Sequence, residues 1–329
     1  MTESSPDGTL RFERTIRVPP TVSAHAQAVI AAGQQMVVDR IDNPAVTPPL
    51  DDADAWKAHI AFMDEAIVTG FAASAADIPA TVEAREIAGV QVNVITPEGV
   101  DASDDAPIQL DIHGGALVAG GDEACRFMNT SAAARAGLHT WGVDYRMPPD
   151  HPYPTPLDDC ISVYRALLEV RPPEKILVGG GSAGGNLVAA MLLRAKDEGL
   201  PMPAALALFT PEVDLTESGD SFDTNAGVDY VLVDRLTDSI ALYAGDHDLT
   251  HPYLSPIFGD VTGFPPTFVQ AGTRDLFLSN AVRFHRKLRD AGVDAELHVW
   301  EAMPHGGFVG APEDAEMGVE LRRFVAKHL

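Results

Sequence analysis

The chain has 329 residues, 46% of them hydrophobic, which allows a large buried core and argues against disorder. Its 48 acidic residues against 23 basic ones leave a formal net charge of −25, a surface that repels nucleic acid and anionic lipid and sets both aside as partners. The two cysteines, Cys125 and Cys160, are too few and too far apart for a disulfide framework or a zinc site, and read as small buried or half-buried thiols that fit a reducing compartment.

The opening stretch "MTESSPDGTLRFERT" is polar and holds no apolar run of signal-peptide length. No run in the chain approaches about 18 apolar residues, so no transmembrane helix is expected and the cytoplasm is the expected location. "TVSAHAQAVIAAGQQMVVDR" reads as a first helix and the Pro-rich "NPAVTPPL" as a break. "DDADAWKAHIAFMDEAIVTG" then reads as a second helix, with Trp56, Ile60, Met63 and Ile67 at helical spacing, Asp51 or Asp52 as cap and Gly70 near its end. From about residue 82 short apolar runs alternate with helical stretches. Strands are expected at Val90–Ile95, Ile108–His113, His139–Tyr145, Lys175–Gly179, Ala204–Phe209, Thr267–Ala271 and Glu296–Trp300. Helices are expected at Phe127–Ala136, Leu157–Val170, Asn186–Asp197, Asn280–Ala291 and Pro312–His328. Near-continuous apolar strands alternating with helices predict an α/β fold, a mostly parallel central sheet covered by helices on both faces. Residues 212–250 carry no strand pattern and read as an insertion, which together with the N-terminal helices forms a lid over one edge of the sheet.

"KILVGGGSAGGNLVAAML", residues 175–192, fits two fingerprints. Gly179, Gly181 and Gly184 match G-x-G-x-x-G, the turn that cradles a dinucleotide pyrophosphate. That reading needs an acid about 20 residues on to hold the ribose, where the chain reads "LPMPAAL". No Gly-Lys-Ser/Thr follows, so a phosphate loop fails too. Gly180, Ser182 and Gly184 match G-x-S-x-G, in which a serine sits on a sharp strand-to-helix turn and its second neighbours on both sides must be small. The amide of Ala183 would then face a developing oxyanion, aided by the helix dipole. The plainer reading is a serine that only caps the helix.

Other parts of the chain favour the nucleophile. "LDIHGGALVAGG" follows an apolar strand, and Gly114 and Gly115 can offer further backbone N–H donors to the same oxyanion. His113 reads as structural, steering that loop. "VQAGTRD" places Asp275 just past a strand, and "VWEAMPHGGF" places His305 just past the last one. Ser182, Asp275 and His305 follow one another in the order this turn requires, with His305 as base and Asp275 as its orienting partner. Among the other histidines, His298 lies within the final strand and reads as a core or edge residue. "GDHDLTH", with Asp246, His247, Asp248 and His251, invites a metal, but its spacing matches no known ligand set, and a polar loop is the simpler reading. No metal and no organic cofactor are expected.

With these motifs in place the chain resembles the hormone-sensitive lipase family of bacterial esterases from about residue 85 to its end. "VDYRMPPDHPYPTPLDD", "GGGSAGGNL", "HPYLSPIFGDVTGFPPTFVQAGTRD" and "AGVDAELHVWEAMPHGGF" carry the likeness. The resemblance implies an α/β-hydrolase fold with a helical cap in residues 1–80 and a catalytic domain in residues 81–329, a cap-like insertion lying around 212–250. It implies Ser182, Asp275 and His305 as catalytic triad, and Gly114, Gly115 and Ala183 as the oxyanion hole. It further implies a small-molecule ester as substrate, cleaved through an acyl-enzyme, and a homodimer, of which the residues give no independent sign. Lactones, amides or peptides could be cut by the same triad. A binding protein on a hydrolase scaffold is the alternative of a different class. Three departures stand out: Gly181 replaces the family's Asp before the serine, Ala116 replaces the third box glycine, and the pair Gly306-Gly307 precedes Phe308.

Overall fold

The computed structural model describes residues 3–4, 9–11, 13–43, 46–75 and 77–329. Parts of the polar N-terminal stretch and of the Pro-rich break therefore lie outside the described residues. Eight strands form the main sheet: β1 (Ala80–Ile87), β2 (Val90–Pro97), β3 (Ile108–Ile112), β4 (His139–Asp144), β5 (Ile176–Gly181), β6 (Ala205–Phe209), β7 (Thr267–Gly272) and β8 (Ala295–Trp300). Their order is β8-β7-β6-β5-β3-β4-β2-β1. From β3 to β8 all pairings are parallel; β2 pairs antiparallel with both β1 and β4. A separate ladder pairs Glu3–Ser4 with Leu10–Arg11.

The continuous apolar runs have a direct cause. In β5, Ile176 and Val178 face one core while Leu177 faces another; in β6, Leu206 and Leu208 face the first and Ala205, Ala207 and Phe209 the second. The first core lies under α4 (Thr155–Val170), α5 (Ala183–Asp197) and α8 (Leu278–Asp290). The second lies under α3 (Asp122–Ala136) and α9 (Pro312–His328). A strand covered on both faces needs apolar side chains on both, so its alternation disappears. The opposite holds for β1, which the apolar pattern does not announce. Most of its residues are exposed, including Glu83, Arg85 and Glu86, because it closes the sheet at an open edge. It joins β2 through a two-residue turn at Ala88 and Gly89, both at positive φ (53° and 79°), the hairpin geometry that matches strand twist.

Two helices precede the sheet, α1 (Ala24–Asp42) and α2 (Ala53–Ala75). Ser23 caps α1 by accepting the Ala26 amide at 3.1 Å, and Asp52 caps α2 by accepting the Ala55 amide at 3.0 Å. The second helix runs on past Gly70 to Ala75; a Cβ on that glycine would meet open space, and no left-handed cap forms there. Likewise α3 begins at Asp122, one turn and more before Phe127, where its polar first turn hides the pattern. The 212–250 stretch holds two short helices, α6 (Ser221–Thr224) and α7 (Thr237–Ala244), and no strand. Val22, Ala26, Ile30 and Val37 of the N-terminal region form one cluster with Tyr230 of the insertion and with Met303 and Phe308 flanking His305. A Cβ on Gly33 would sit 2.2 Å from the Tyr230 ring, so α1 and the insertion meet at van der Waals contact there. Among the described residues no helix is long and apolar enough to cross a membrane.

Candidate active site

Every predicted site residue falls at the carboxyl end of a parallel strand, the edge at which loops of neighbouring strands meet. Ser182 follows β5 directly and has φ 55° and ψ −124°. A non-glycine residue held there costs about 1–3 kcal/mol and persists only where its surroundings enforce it. Here they do. The Ser182 amide donates to Phe209 O of β6 at 2.9 Å, and its carbonyl accepts from Asn186 at 3.3 Å and Glu212 at 3.2 Å. A Cβ on Gly180 would lie 2.6 Å from the Gly184 carbonyl carbon, and one on Gly184 would lie 1.9 Å from Ile112 O. Both second neighbours of the serine are therefore glycine because backbone fills the space. A Cβ on Gly181, by contrast, would make only ordinary contacts with Phe209 at 3.6 Å and beyond, so nothing steric requires glycine where the family has Asp. The turn keeps its form without that side chain.

The loop after β3 lies against the serine. A Cβ on Gly114 would be 3.1 Å from Ser182 Cβ, and Gly115, at φ 131°, would clash with Ala119 O at 1.9 Å if it carried one. Ala116 and Leu117 also take positive φ, 55° and 66°, so alanine holds the left-handed form here without a glycine. Ala183 opens α5 and is buried. Helix N-termini leave amides without an intrahelical partner, and here that end points at the strand edge. His113 serves the loop: its Nδ1–H donates to Gly114 O at 2.7 Å, and its ring stacks on Tyr145 at 4.1 Å, whose hydroxyl donates to His113 O at 3.0 Å. Burial pushes its pKa down to about 4, so it stays neutral. Asp64 of α2 accepts the Gly120 amide at 2.6 Å, a tie from the N-terminal helices to this loop that the spacing of α2 gave no reason to expect.

Asp275 and His305 arrive on the loops after β7 and β8. These loops are laced together: Thr273 N donates to Trp300 O at 2.9 Å, Arg274 N to Met303 O at 3.1 Å, and Ala302 N to Thr273 Oγ1 at 2.7 Å. A Cβ on Gly272 would stand 2.0 Å from Met303 O. The result is one line of groups. His305 Nε2 is 2.9 Å from Ser182 Oγ and His305 Nδ1 is 3.0 Å from Asp275 Oδ1. Asp275 is fully buried and His305 is 7% exposed. Burial works against a charged His305, but the Asp275 carboxylate, by charge and hydrogen bond, and the Asp229 carboxylate outweigh it and raise its pKa above the usual histidine value.

Asp229 is the residue the sequence did not single out. It lies in the 212–250 insertion, fully buried, and accepts the backbone amides of Leu276 at 2.9 Å and His305 at 3.1 Å. Its ligand atoms, with those of Asp275 and His305, lie within 4.8 Å of one another. A second such group joins His113, Cys125 and Asp144. There the Cys125 thiol is driven well above its usual pKa by burial and by Asp144, Asp111 and Asp122, and it donates to Asn129 Oδ1 at 2.8 Å. A metal would need the thiolate that this setting disfavours. The "GDHDLTH" residues make turn contacts instead: His247 Nδ1 to Ala244 O at 2.9 Å, Asp248 accepting from Thr250, and His251 accepting the Tyr253 amide. His298 stacks on Phe268 at 4.5 Å, and Cys125 and Cys160 are buried free thiols.

A family model described as an α/β-hydrolase fold matches residues 109–309. A solved structure of an esterase from the bacterial hormone-sensitive lipase family superposes with a TM-score of 0.73 at 31% identity, covering 90% of this chain and 98% of that one. The chain belongs to that family. A second solved structure, of an esterase E25, superposes with a TM-score of 0.90 at 35% identity over 98% of this chain and 99% of that one. In sequence, an esterase of Acinetobacter venetianus is 36% identical over 196 residues, 58% of this chain and 64% of that protein. Membership accounts for the strand order and for the position of the serine turn; it leaves the roles of individual side chains to their geometry.

Proposed function

We propose that this hormone-sensitive lipase family member is a serine carboxylesterase acting on small to medium acyl esters through an acyl-enzyme. One observation carries the reading: a single imidazole bridges Ser182 Oγ at 2.9 Å and Asp275 Oδ1 at 3.0 Å. Ser182 attacks the ester carbonyl carbon as His305 Nε2 takes its proton, and Asp275 holds Nδ1–H and balances the imidazolium. The amides of Gly114, Gly115 and Ala183 receive the oxyanion. His305 then protonates the departing alcohol. A water, deprotonated by His305, attacks the acyl-serine and releases the acid. No step calls for a metal or organic cofactor. Residues 1–80 and the 212–250 insertion act together as the cap over this edge, and the α1–Tyr230–Phe308 cluster is what supports that division. Within the cap, Trp56 is fully buried and packs as core, whereas Phe62 is 69% exposed. Two buried free thiols fit a reducing compartment, and the cytoplasm is the proposed location. A homodimer remains part of the proposal and is checked by light scattering.

The test is hydrolysis of p-nitrophenyl esters from C2 to C12 beside Ser182→Ala, with fluorophosphonate labelling of the parent. Ester turnover and labelling, both lost in the variant, are expected. Labelling without ester turnover would move the substrate to lactones or amides, and a chain that does neither would be a binding protein.

A further inference from the structure

We propose that Asp229 is a positioning residue for ester hydrolysis: one buried carboxylate on the insertion holds the acid loop and the base loop in register and places a second negative charge behind the His305 imidazole. The inference rests on the triad reading above.

The geometry is specific. Asp229 Oδ2 accepts two amides at once, from Leu276 and from His305, residues 47 and 76 positions further along the chain. The first amide is next to Asp275 and the second is the base's own. Asp229 Oδ1 accepts from Val231 at 2.9 Å and Leu232 at 3.2 Å, which fixes the carboxylate's own orientation. All four partners are N–H donors. An ionised carboxylate satisfies them; a protonated one would turn an O–H toward an N–H. A buried carboxylate normally finds an Arg or Lys. Among the described residues no Arg or Lys pairs with Asp229, and the cation that forms beside it is the imidazolium of the reaction.

The groups bearing on this arrangement are few. His305 feels Asp275 from the loop after β7 and Asp229 from the insertion. Asp229 feels Asp275 and His305, and burial together with Asp275 raises its own pKa. The neighbouring Tyr230 feels Asp229, Asp314 and Arg274. Two carboxylates therefore face one imidazole. Asp275 meets it through Nδ1, while Asp229 acts through the backbone and through space. As Ser182 gives up its proton, the positive charge develops on the ring that both acids face. Asp229 also makes the resting base easier to protonate, so its charge has a signature that a purely structural staple lacks.

Asp229→Asn keeps the shape and removes the charge. The expected result is a fall in kcat of about 10²-fold, the scale set by a catalytic group displaced by about an ångström, with the acidic limb of kcat/KM moving to lower pH. The double variant Asp229→Asn/Asp275→Asn should lose less than the product of the two single losses, because both act through His305. Parent-like kcat, or a limb that stays in place while the losses multiply, overturns the proposal. If Asp229→Asn does not fold, Asp229→Glu keeps the charge and lengthens the arm: kcat should fall with the limb unmoved, and parent-like kcat again overturns it. Ser182→Ala and His305→Ala run alongside separate the two levels. If they retain activity, the triad reading itself has failed. If they are inactive while Asp229→Asn matches the parent, only the role of Asp229 has failed.

Discussion

The two halves of the proposed site are built by different means. The nucleophile half is local backbone. Gly180, Ser182, Gly184, Gly114 and Gly115 occupy positions where a side chain would meet main-chain atoms or where φ is positive, and the loops they shape follow immediately on β3 and β5. The base half is long-range side-chain chemistry: Asp275 and His305 come from separate loops, and a carboxylate from the insertion receives one amide from each loop, those of Leu276 and His305. The first half should fail when a side chain is forced into space that backbone already fills. The second should fail when a charge is removed, with the fold intact. Rigidity in the one comes from excluded volume, and in the other from a buried hydrogen-bond network whose strength depends on every member being satisfied.

Substitutions can sharpen that contrast. The largest effect is expected from Ser182→Ala, which should cut kcat by about 10⁶-fold, the scale seen when such a nucleophile is removed, with circular dichroism and melting temperature unchanged. Next is Gly184→Val. Its Cβ would lie 1.9 Å from Ile112 O, so the start of α5 cannot seat against β3. The loss is expected to reach about 3 kcal/mol or more by the overpacking route, read as a fall in melting temperature or as unfolded protein. If Gly184→Val melts like the parent, the nucleophile half is not held by excluded volume.

The pH profile probes the base half. In the proposed mechanism His305 must be neutral to accept the serine proton; burial lowers its pKa, but the charge and hydrogen bond of Asp275 and the charge of Asp229 outweigh that and raise it. Activity should therefore fall as pH drops, with the limb of kcat/KM above the ordinary histidine value of about 6.5. A limb below that value would mean that burial wins over the two carboxylates. The sign for stability is opposite. A raised folded-state pKa makes a contribution fully present below about pH 6.5 and lost as pH rises through the folded value.

A smaller effect should follow from Asp159→Asn. Asp159 is 2% exposed and accepts Arg146 N at 2.9 Å, Nε at 3.0 Å and Nη2 at 2.6 Å, fixing the segment that leads from β4 into α4. Because the Arg146 side chain is half exposed, the charge is screened and a loss of about 1–2 kcal/mol is expected from the weakened hydrogen bonds, with kcat/KM unchanged. Smallest of all is Gly181→Asp, which restores the family residue. Its Cβ meets only ordinary contacts, so stability should move by less than about 0.5 kcal/mol, and a chemical denaturation curve would detect more.

Much of the architecture was legible along the chain. Apolar runs marked β2 to β8 to within a residue or two because strands buried on both faces leave a continuous signal. The edge strand β1 left none, since solvent accepts Glu83, Arg85 and Glu86 as readily in a loop as in a strand. The first turn of α3 was hidden for the same reason. Gly70 lies near the end of α2 without setting it, because a glycine within a helix costs only about 1 kcal/mol relative to Ala, too little to end a helix already capped at Asp52.

The sequence by itself determined the order of strands and helices, the serine turn with its obligatory glycines, and the order in which Ser182, Asp275 and His305 occur. Each of these depends on side-chain volume, backbone freedom or polarity over a few neighbouring residues, and such constraints are written locally. Only the tertiary structure decided that His305 bridges Ser182 and Asp275, that Asp64 reaches the Gly120 amide, and that Asp229 accepts the amides of Leu276 and His305. Those contacts join residues tens of positions apart through hydrogen bonds about 3 Å long, and an aspartate in a polar insertion looks the same in sequence whether it faces water or a buried imidazole.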